Sequence, residues 1–205
     1  MQQATPELLY CYRSFVSAAL IVIGGYKFMQ YRIANLNDVE SLTKLHAESC
    51  RESYRGIFTD DFLDNDVWEE RRLTWTNRLS NPKLNQRVLM ATDGNQLCGF
   101  ICAFGNENSK WGTFVDNLHV SSSVQGKGVG KQLMYLIAKW ADESFENKGL
   151  YLEVLEDNLN ARNFYHRMGA KHQETNLWQP PGSDEKINDL LYVWEGNHKL
   201  LQINN

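Results

Sequence analysis

The chain has 205 residues, of which 42% are hydrophobic and 22% are charged, and its formal net charge is −4. This length and balance predict one well-packed domain with room for a short appendage. The negative charge argues against nucleic acid as a partner, since proteins that bind it usually carry a basic face. Cys11, Cys50, Cys98 and Cys102 form no C-x-x-C pair and no metal spacing with histidine, so we expect free thiols, a cytoplasmic location and no metal.

The first 28 residues differ in character from the rest. Their apolar run, "SFVSAALIVIGG", is shorter than the ~20 residues that span a bilayer, so we expect no membrane span. Glu7 and the lack of a small-residue cleavage site argue against a secretory signal. We expect residues 1–28 to be an extension, either a misassigned start or a peripheral helix, followed by one domain over 29–198 and a tail over 199–205.

The domain opens with a strand, "QYRIA", and two helical regions. Val39, Leu42 and Leu45 recur at helical spacing behind a cap at Asn37 or Asp38. The second helical region ends before "NP" at 81–82. Next, "QRVLMAT" and "LCGFICAFG" flank a "DG" turn, which is the pattern of a β-hairpin.

The second half of the domain alternates strands and helices. "GTFVDNLHV" predicts a strand, and the glycine-rich "VQGKGVGKQL" leads into a helix whose apolar stripe includes Val129, Leu133 and Ile137. "LYLEVL" predicts another strand, followed by a short helix in "NLNARNFYHRMG" that Gly169 closes. "AKHQETNLW" and "INDLLYVWE" predict the last two strands, which completes a mixed α/β domain.

The glycine loop exposes backbone at a helix start, which suits a phosphate. A dinucleotide-binding fingerprint needs glycine where Lys131 stands, and a Walker A loop needs other residues than Gln125 and Gln132. The loop instead fits Q-x-x-G-x-G, with Gln125, Gly128 and Gly130. A plain glycine-rich turn without a ligand fits the loop equally well by itself.

A second motif follows some thirty residues later. It has the form N-x-x-A-x-x-F-Y-x-x-x-G and consists of Asn158, Ala161, Phe164, Tyr165 and Gly169. With "DNLHV" and the glycine loop before it, the sequence resembles the GNAT superfamily of acyl-CoA-dependent N-acyltransferases. The resemblance runs from about Met29 to the final strand. It implies an α/β fold with a mostly antiparallel, twisted sheet of about seven strands and helices on both faces.

The resemblance also implies acetyl-CoA as the co-substrate, with its pyrophosphate over the glycine loop and its pantetheine arm along the preceding strand. Glycine is expected at 128 and 130 because a β-carbon there would obstruct the phosphates. The residues implied to bind the cofactor are Leu118, His119, Val120, Gln125, Gly126, Lys127, Gly128, Val129, Gly130, Lys131, Asn158, Ala161 and Tyr165.

In such enzymes a neutral amine attacks the thioester, so the reaction needs a proton acceptor and a proton donor. Tyr165 matches the family's usual donor, with a packing role as the alternative. Many relatives carry a glutamate acceptor where this chain has Phe114, so we expect Asp116, on the same face of the strand, or Glu153 on the neighbouring strand. A water chain is the remaining alternative.

The acceptor is expected between the first helices and the last hairpin. "HAESCRESYRGIFTDDFLD" resembles the corresponding region of bacterial small-molecule GNAT enzymes. It offers acids for a cationic substrate and aromatic walls: Glu48, Glu52, Asp60, Asp61, Asp64, Tyr54 and Trp68. Most such acids are solvated in proteins generally.

Three functions remain open on the sequence. The leading one is acetylation of a primary amine of a small molecule, such as a polyamine, an amino acid or an amino sugar. The others are acetylation of a protein N-terminus or lysine, and acyl-CoA binding without turnover. A homodimer is compatible with all three.

Overall fold

A computed structural model describes residues 19–20, 29–146, 149–196 and 198–202 of the chain. The strands are β1 (Ala19–Leu20), β2 (Met29–Ile33), β3 (Gln86–Asp93), β4 (Gln96–Asn108), β5 (Gly112–Val120), β6 (Leu150–Leu155), β7 (Lys171–Trp178) and β8 (Ile187–Trp194). The helices are α1 (Val39–Ser53), α2 (Val67–Ser80), α3 (Val129–Ser144), α4 (Leu159–Arg167) and α5 (His198–Leu201).

The described strands form one sheet in the order β1-β2-β3-β4-β5-β6-β8-β7. Neighbouring strands run antiparallel except for β5 and β6, which run parallel. A parallel pair needs a crossover, and α3 supplies it between β5 and β6. Seven of these strands lie at or beyond Met29, so the expected mixed, mostly antiparallel sheet is confirmed.

Helices cover both faces of the sheet because successive residues of a strand point to opposite sides. On one face, Phe100 of β4 packs with Leu42 of α1 and Trp75 of α2. On the other face, Ile101 of β4 packs with Leu133 of α3. We call these the α1/α2 face and the α3 face.

Asp38 stands at the N-cap position of α1, one of the two expected, but its side chain makes no capping bond to that helix, and the side-chain cap belongs to the turn before it. The capping residue is Asn35, whose side chain accepts from the backbone N–H of Asn37 at 3.0 Å. Asp38 accepts from the backbone N–H of Asn35 at 2.8 Å and also pairs with Arg32 at 2.6 and 2.7 Å. A short 3₁₀ turn over Leu36–Asp38 therefore precedes the helix, and its reciprocal capping fixes the path from β2 to α1.

Described secondary structure extends beyond both ends of the expected domain, 29–198. Ala19–Leu20 pairs antiparallel with Tyr31 and Gln30 of β2, and the rest of the expected extension lies outside the described residues. Leu200 of α5 is fully buried in the core beneath α3. The expected tail, 199–205, therefore contributes at least Leu200 to the core.

Candidate active site

β5 and β6 separate after two residue pairs. Thr113 pairs with Leu150 and Phe114 with Tyr151, and beyond these β5 continues to Val120 with no further pairing to β6. The rings of Phe114 and Tyr151 stack 5.0 Å apart at the closed end. We call the opening between residues 115–120 and 152–155 the β5–β6 gap. Among the described residues, one edge of β5 has no strand partner beyond Phe114, which suits an extended, amide-rich ligand.

A β-bulge bends β5 at the start of the gap. Cys102 of β4 pairs with Asn117 and Ala103 pairs with Val115, so Asp116 is the extra residue. Arg78 of α2 holds this bulge: its Nη1 donates to Asp116 Oδ2 at 2.5 Å and to Asn117 Oδ1 at 2.9 Å. Asp116, the first expected proton acceptor, therefore lies at the gap but is ion-paired.

The glycine loop lies at the open end of the gap. Gly126 has φ +76° and Gly128 has φ +85°, a left-handed conformation that favours glycine. Gly128 is the residue before α3, so the N–H groups of Val129, Gly130 and Lys131 have no acceptor within the helix. The loop can present these donors to an anion.

Gly130 lies where the two sequence motifs meet. A β-carbon at Gly130 would lie 3.4 Å from the ring of Phe164, an ordinary contact distance. The start of α3, which carries the glycine loop, therefore packs against α4, which carries the second motif. Gln125 donates to the carbonyl of Val120 at 3.0 Å and Lys127 to that of Ser123 at 2.9 Å, and both contacts tie the loop to the end of β5.

Tyr165 lies in the core beneath the sheet, with 8% of its surface exposed. Its ring packs edge-on against Phe164 and Trp194, at centroid distances of 5.3 and 6.0 Å. Burial, with a smaller effect from the nearby Tyr54 hydroxyl, raises the pKa of Tyr165 far above its usual range. The phenol therefore stays protonated at neutral pH and can act as a proton donor.

Asn158 caps α4. Its side-chain oxygen accepts from the backbone N–H of Ala161 at 3.1 Å, which gives these two motif residues a structural role as well as the expected cofactor contact. Asn158 also hydrogen-bonds the hydroxyl of Tyr54, whose pKa is raised to about 12, chiefly by burial. Tyr54 thus lies between the motif on α4 and the α1/α2 face.

Two carboxylates occupy the α1/α2 face beside the gap. Leu152 and Val154 of β6 and Leu190 of β8 pack on the α3 face, so Glu153 and Asp189 point the other way. Burial, and secondarily the charge of Asp116, raises the pKa of Glu153. Burial, and secondarily the charge of Glu153, raises the pKa of Asp189 to about 6.

Aromatic rings line the same face next to these acids. Tyr54 stacks on Phe58 at 4.7 Å, and Phe58 lies 5.6 Å from Trp178 of β7. A β-carbon at Gly182 would lie 2.6 Å from Thr59 Oγ1, so the β7–β8 loop closes tightly over the segment after α1. Rings together with carboxylates are a suitable surround for a cation.

His119 turns its side chain to the α1/α2 face, whereas Leu118 and Val120 pack on the α3 face. His119 Nδ1 lies 2.8 Å from Ser49 Oγ, and its ring lies 4.4 Å from that of His46. Burial, and secondarily the positive charge of Arg71, lowers the pKa of His119 to about 3. Because the imidazole is neutral, we expect His119 to contribute its backbone, and not a side-chain charge, to cofactor binding.

The acids expected on the first helices are dispersed, and of these Glu52 lies beside the end of β5, where it accepts from Ser122 Oγ at 3.4 Å. Glu48 and Glu52 are exposed on α1, and Asp61 accepts from Asn65 at 2.8 Å. Asp60 and Asp64 both bond to Arg55. Trp68 is exposed. Tyr54 lies close enough to Asp189 for the charge of that carboxylate to raise the pKa of the Tyr54 hydroxyl.

Sequence reasoning missed Asp189, Trp178 and Arg78. None belongs to a motif, and each reaches the site through strand register or the packing of α2. Alternation in "INDLL" was the available signal for Asp189, since it places that acid opposite the buried Leu190.

Membrane-spanning helices and metal clusters are both absent from the described part of the chain. No described helix is both long and apolar enough to cross a membrane. No group of three or more His, Cys, Asp or Glu side chains there could hold a metal ion. The described cysteines, Cys50, Cys98 and Cys102, are buried free thiols.

Comparison with protein families decides the assignment. The model of the acetyltransferase (GNAT) family matches residues 47–170, more than half of the chain. The chain belongs to the GNAT acetyltransferase family. The matched region holds the β5–β6 gap, the glycine loop and α4.

Individual relatives are more distant. The spermine/spermidine N(1)-acetyltransferase of Bacillus subtilis strain 168 is 26% identical over 76 residues, which are 37% of this chain and 50% of that protein. The probable spermine N(1)-acetyltransferase of Bacillus subtilis subsp. natto matches to the same extent. The chain thus spans about half the length of the curated relatives it matches.

Solved structures share the fold. The PaiA N-acetyltransferase of Thermoplasma acidophilum, in complex with coenzyme A, superposes with a TM-score of 0.66 at 21% identity, covering 82% of this chain and 98% of that one. The acetyltransferase YncA of Salmonella typhimurium, with acetyl-CoA, gives 0.59 at 16% identity, covering 82% and 93%.

Proposed function

We propose that this protein transfers the acetyl group of acetyl-CoA to the primary amine of a small cationic molecule, with a polyamine as the leading acceptor. The observation that carries the proposal is the β5–β6 gap, which has anion-binding backbone at its open end and carboxylates on the α1/α2 face beside it. Acetyl-CoA is anionic and a polyamine is cationic, so these two parts of the site suit the two substrates.

Acetyl-CoA is assigned to the open side of the gap. The N-terminus of α3 and the left-handed glycines at 126 and 128 would bind the pyrophosphate, with Lys127 and Lys131 nearby. The free edge of β5 over Leu118–Val120 would pair with the amide groups of the pantetheine arm. The PaiA and YncA structures, which share this fold, contain coenzyme A and acetyl-CoA respectively.

The reaction forms a bond from the amine nitrogen to the acetyl carbon and breaks the carbon–sulfur bond. The amine loses a proton and the departing thiolate gains one. We assign the donor to Tyr165, because it stands at the motif position of the family's usual donor and its phenol carries a proton at neutral pH. After transfer, the phenol must regain its proton from solvent or from neighbouring groups such as Tyr54.

We assign the proton acceptor to Glu153, the second of the two expected carboxylates. Asp116 bonds to Arg78, so protonating it would break that contact. Glu153 has a raised pKa and lies on the α1/α2 face at the gap. A carboxylate with a raised pKa is better matched to an operating pH near neutrality.

The acceptor is assigned to the α1/α2 face. Asp116, Glu153 and Asp189 repel one another there, and a bound cation would relieve that repulsion. Tyr54 and Trp178 supply aromatic walls. The Bacillus relatives are named for spermine and spermidine, which are polycations.

The test is release of coenzyme A thiol from acetyl-CoA across a panel of acceptors: spermine, spermidine, a monoamine, an amino acid and a peptide with a free N-terminus. The proposal predicts the highest kcat/KM for the polyamines. Turnover confined to the peptide, or acetyl-CoA binding without turnover of any amine, would contradict it.

A further inference from the structure

We propose that Arg78 is a positioning residue, which sets the course of the open β5 edge by holding the β5 bulge from α2. Only the identity of the ligand on that edge rests on the proposed function. We call the contact between Arg78 and the bulge the Arg78 clamp, and it concerns the geometry of β5 alone.

The contacts of Arg78 converge on the register shift. One atom, Nη1, reaches Asp116 Oδ2 at 2.5 Å, Asn117 Oδ1 at 2.9 Å and Cys102 Sγ at 3.8 Å. Asp116 and Asn117 are the two bulge residues, and Cys102 is the residue opposite them on β4. A single guanidinium nitrogen therefore contacts every residue that defines the bulge.

Arg78 is itself held firmly. Its guanidinium lies 5.5 Å from the centroid of Trp75 and 5.6 Å from that of Phe104. Its backbone carbonyl accepts from Gln86 Nε2 at 2.9 Å, which ties the last turn of α2 to the start of β3. The side chain thus transmits the position of α2 to β5.

The bulge lies where its geometry decides the width of the gap. The last β5–β6 pair is Phe114–Tyr151, two residues before Asp116, and the edge assigned to the pantetheine arm begins two residues after it. A bulge bends and twists its strand. Without the guanidinium, the Asp116 side chain would lose its cationic partner next to Glu153, so we expect this part of β5 to move.

The decisive comparison is between Arg78→Met and Arg78→Lys. Methionine keeps an apolar stem but removes the charge, whereas lysine places one cationic nitrogen near the position of Nη1. Because Nη1 alone makes both contacts, lysine should restore them. Arg32→Met is the matched control, since Arg32 makes an equally short ion pair with Asp38 away from the gap.

The first readout is amide hydrogen exchange of residues 115–120, which needs no ligand. We expect exchange there to accelerate about ten-fold in Arg78→Met and to return close to the wild-type rate in Arg78→Lys, because local opening follows the loss of a partly buried ion pair. In Arg32→Met, segment 115–120 should exchange as in the wild type.

The second readout is acetyl-CoA affinity by calorimetry. Arg78→Met should bind about ten-fold more weakly, and adding Asp116→Asn to it should recover part of the loss because the unpaired charge is gone. The proposal is overturned if folded Arg78→Met keeps wild-type exchange at 115–120, or if Arg78→Lys fails as badly as Arg78→Met. If the wild type binds no acetyl-CoA, the proposed function fails, and hydrogen exchange still decides on the clamp.

Discussion

The two sides of the β5–β6 gap are built from different chemical groups, backbone on one side and side chains on the other. The side assigned to acetyl-CoA offers backbone: the open edge of β5, the left-handed glycines at 126 and 128, and the first N–H groups of α3. The side assigned to the amine offers side chains, chiefly Glu153, Asp189 and Tyr54.

This difference separates binding from selectivity. Backbone donors are present whatever side chains surround them, so the acetyl-CoA side depends on conformation and changes little with surface substitutions. The amine side depends on which side chains three separate elements bring together. Substitutions there should change the preferred amine and leave acetyl-CoA affinity unaltered, and the following variants test that separation.

The largest effect is expected for Gly128→Val. A β-branched residue is strained at φ +85° and would change the loop conformation, so acetyl-CoA affinity should fall by about 100-fold or more while the rest of the sheet stays folded. Gly94→Val is the control, because Gly94 is also left-handed (φ +57°) but lies in the β3–β4 turn with open space around it. Calorimetry should show lost binding only in the first variant, and equal affinities in both would remove the loop from the site.

Tyr165→Phe should lower kcat by roughly 100-fold, the lower range for a lost general acid, with acetyl-CoA affinity unchanged. The hydroxyl acts only as the thiolate departs, so its loss belongs to the transition state. Tyr31→Phe is the control, since Tyr31 is also a buried tyrosine of the same core and has no role in the mechanism. Steady-state kinetics at neutral pH should separate the two, and an unchanged kcat in Tyr165→Phe would assign Tyr165 to packing.

Glu153→Gln should lower kcat/KM about ten-fold or more near pH 7, because the amine proton loses its acceptor. The pKa of Glu153 is raised, so wild-type activity should increase with pH until this group is ionised. The variant should lack that step and approach the wild type at high pH, where solution deprotonates the amine. Glu156→Gln, on an exposed acid that bonds Asn188, should behave as the wild type, and matching pH profiles for all three proteins would exclude Glu153.

Asp189→Asn should have the smallest effect on catalysis, a rise of a few-fold in KM for a polyamine. The same substitution should raise the stability of the folded protein at neutral pH. The folded-state pKa of Asp189, about 6, is above the ordinary value near 3.9, so the stability contributed by the protonated form is present below pH ~4 and lost as pH rises through 6. The asparagine variant should therefore be more stable than wild type at pH 7, by ~1 kcal/mol after allowing for solvent screening, and equal to it at pH 4. Thermal melts at both pH values check this, with Asp184→Asn on the exposed β7–β8 loop as the control.

The acetyl-CoA side could be predicted from the sequence because it is local. "GTFVDNLHV" and "LYLEVL" match β5 and β6 residue for residue, and the glycine loop and α4 lie at the expected positions. The amine side could not, because Asp189 joins Glu153 through β6–β8 register and Arg78 reaches Asp116 from 38 residues away. The cap at Asn35 was missed for a related reason, since the ion pair with Arg32 draws Asp38 into the turn before the helix.

Hydrogen–deuterium exchange with and without acetyl-CoA tests the central claim most directly, because it reports on backbone along the whole chain. The β5–β6 gap as the acetyl-CoA site predicts slowed exchange at residues 117–120 and 125–131, with little change in β7 and β8. Spermidine alone should leave those two segments as they were. Protection by acetyl-CoA that falls elsewhere, with 117–120 and 125–131 unaffected, would contradict the account.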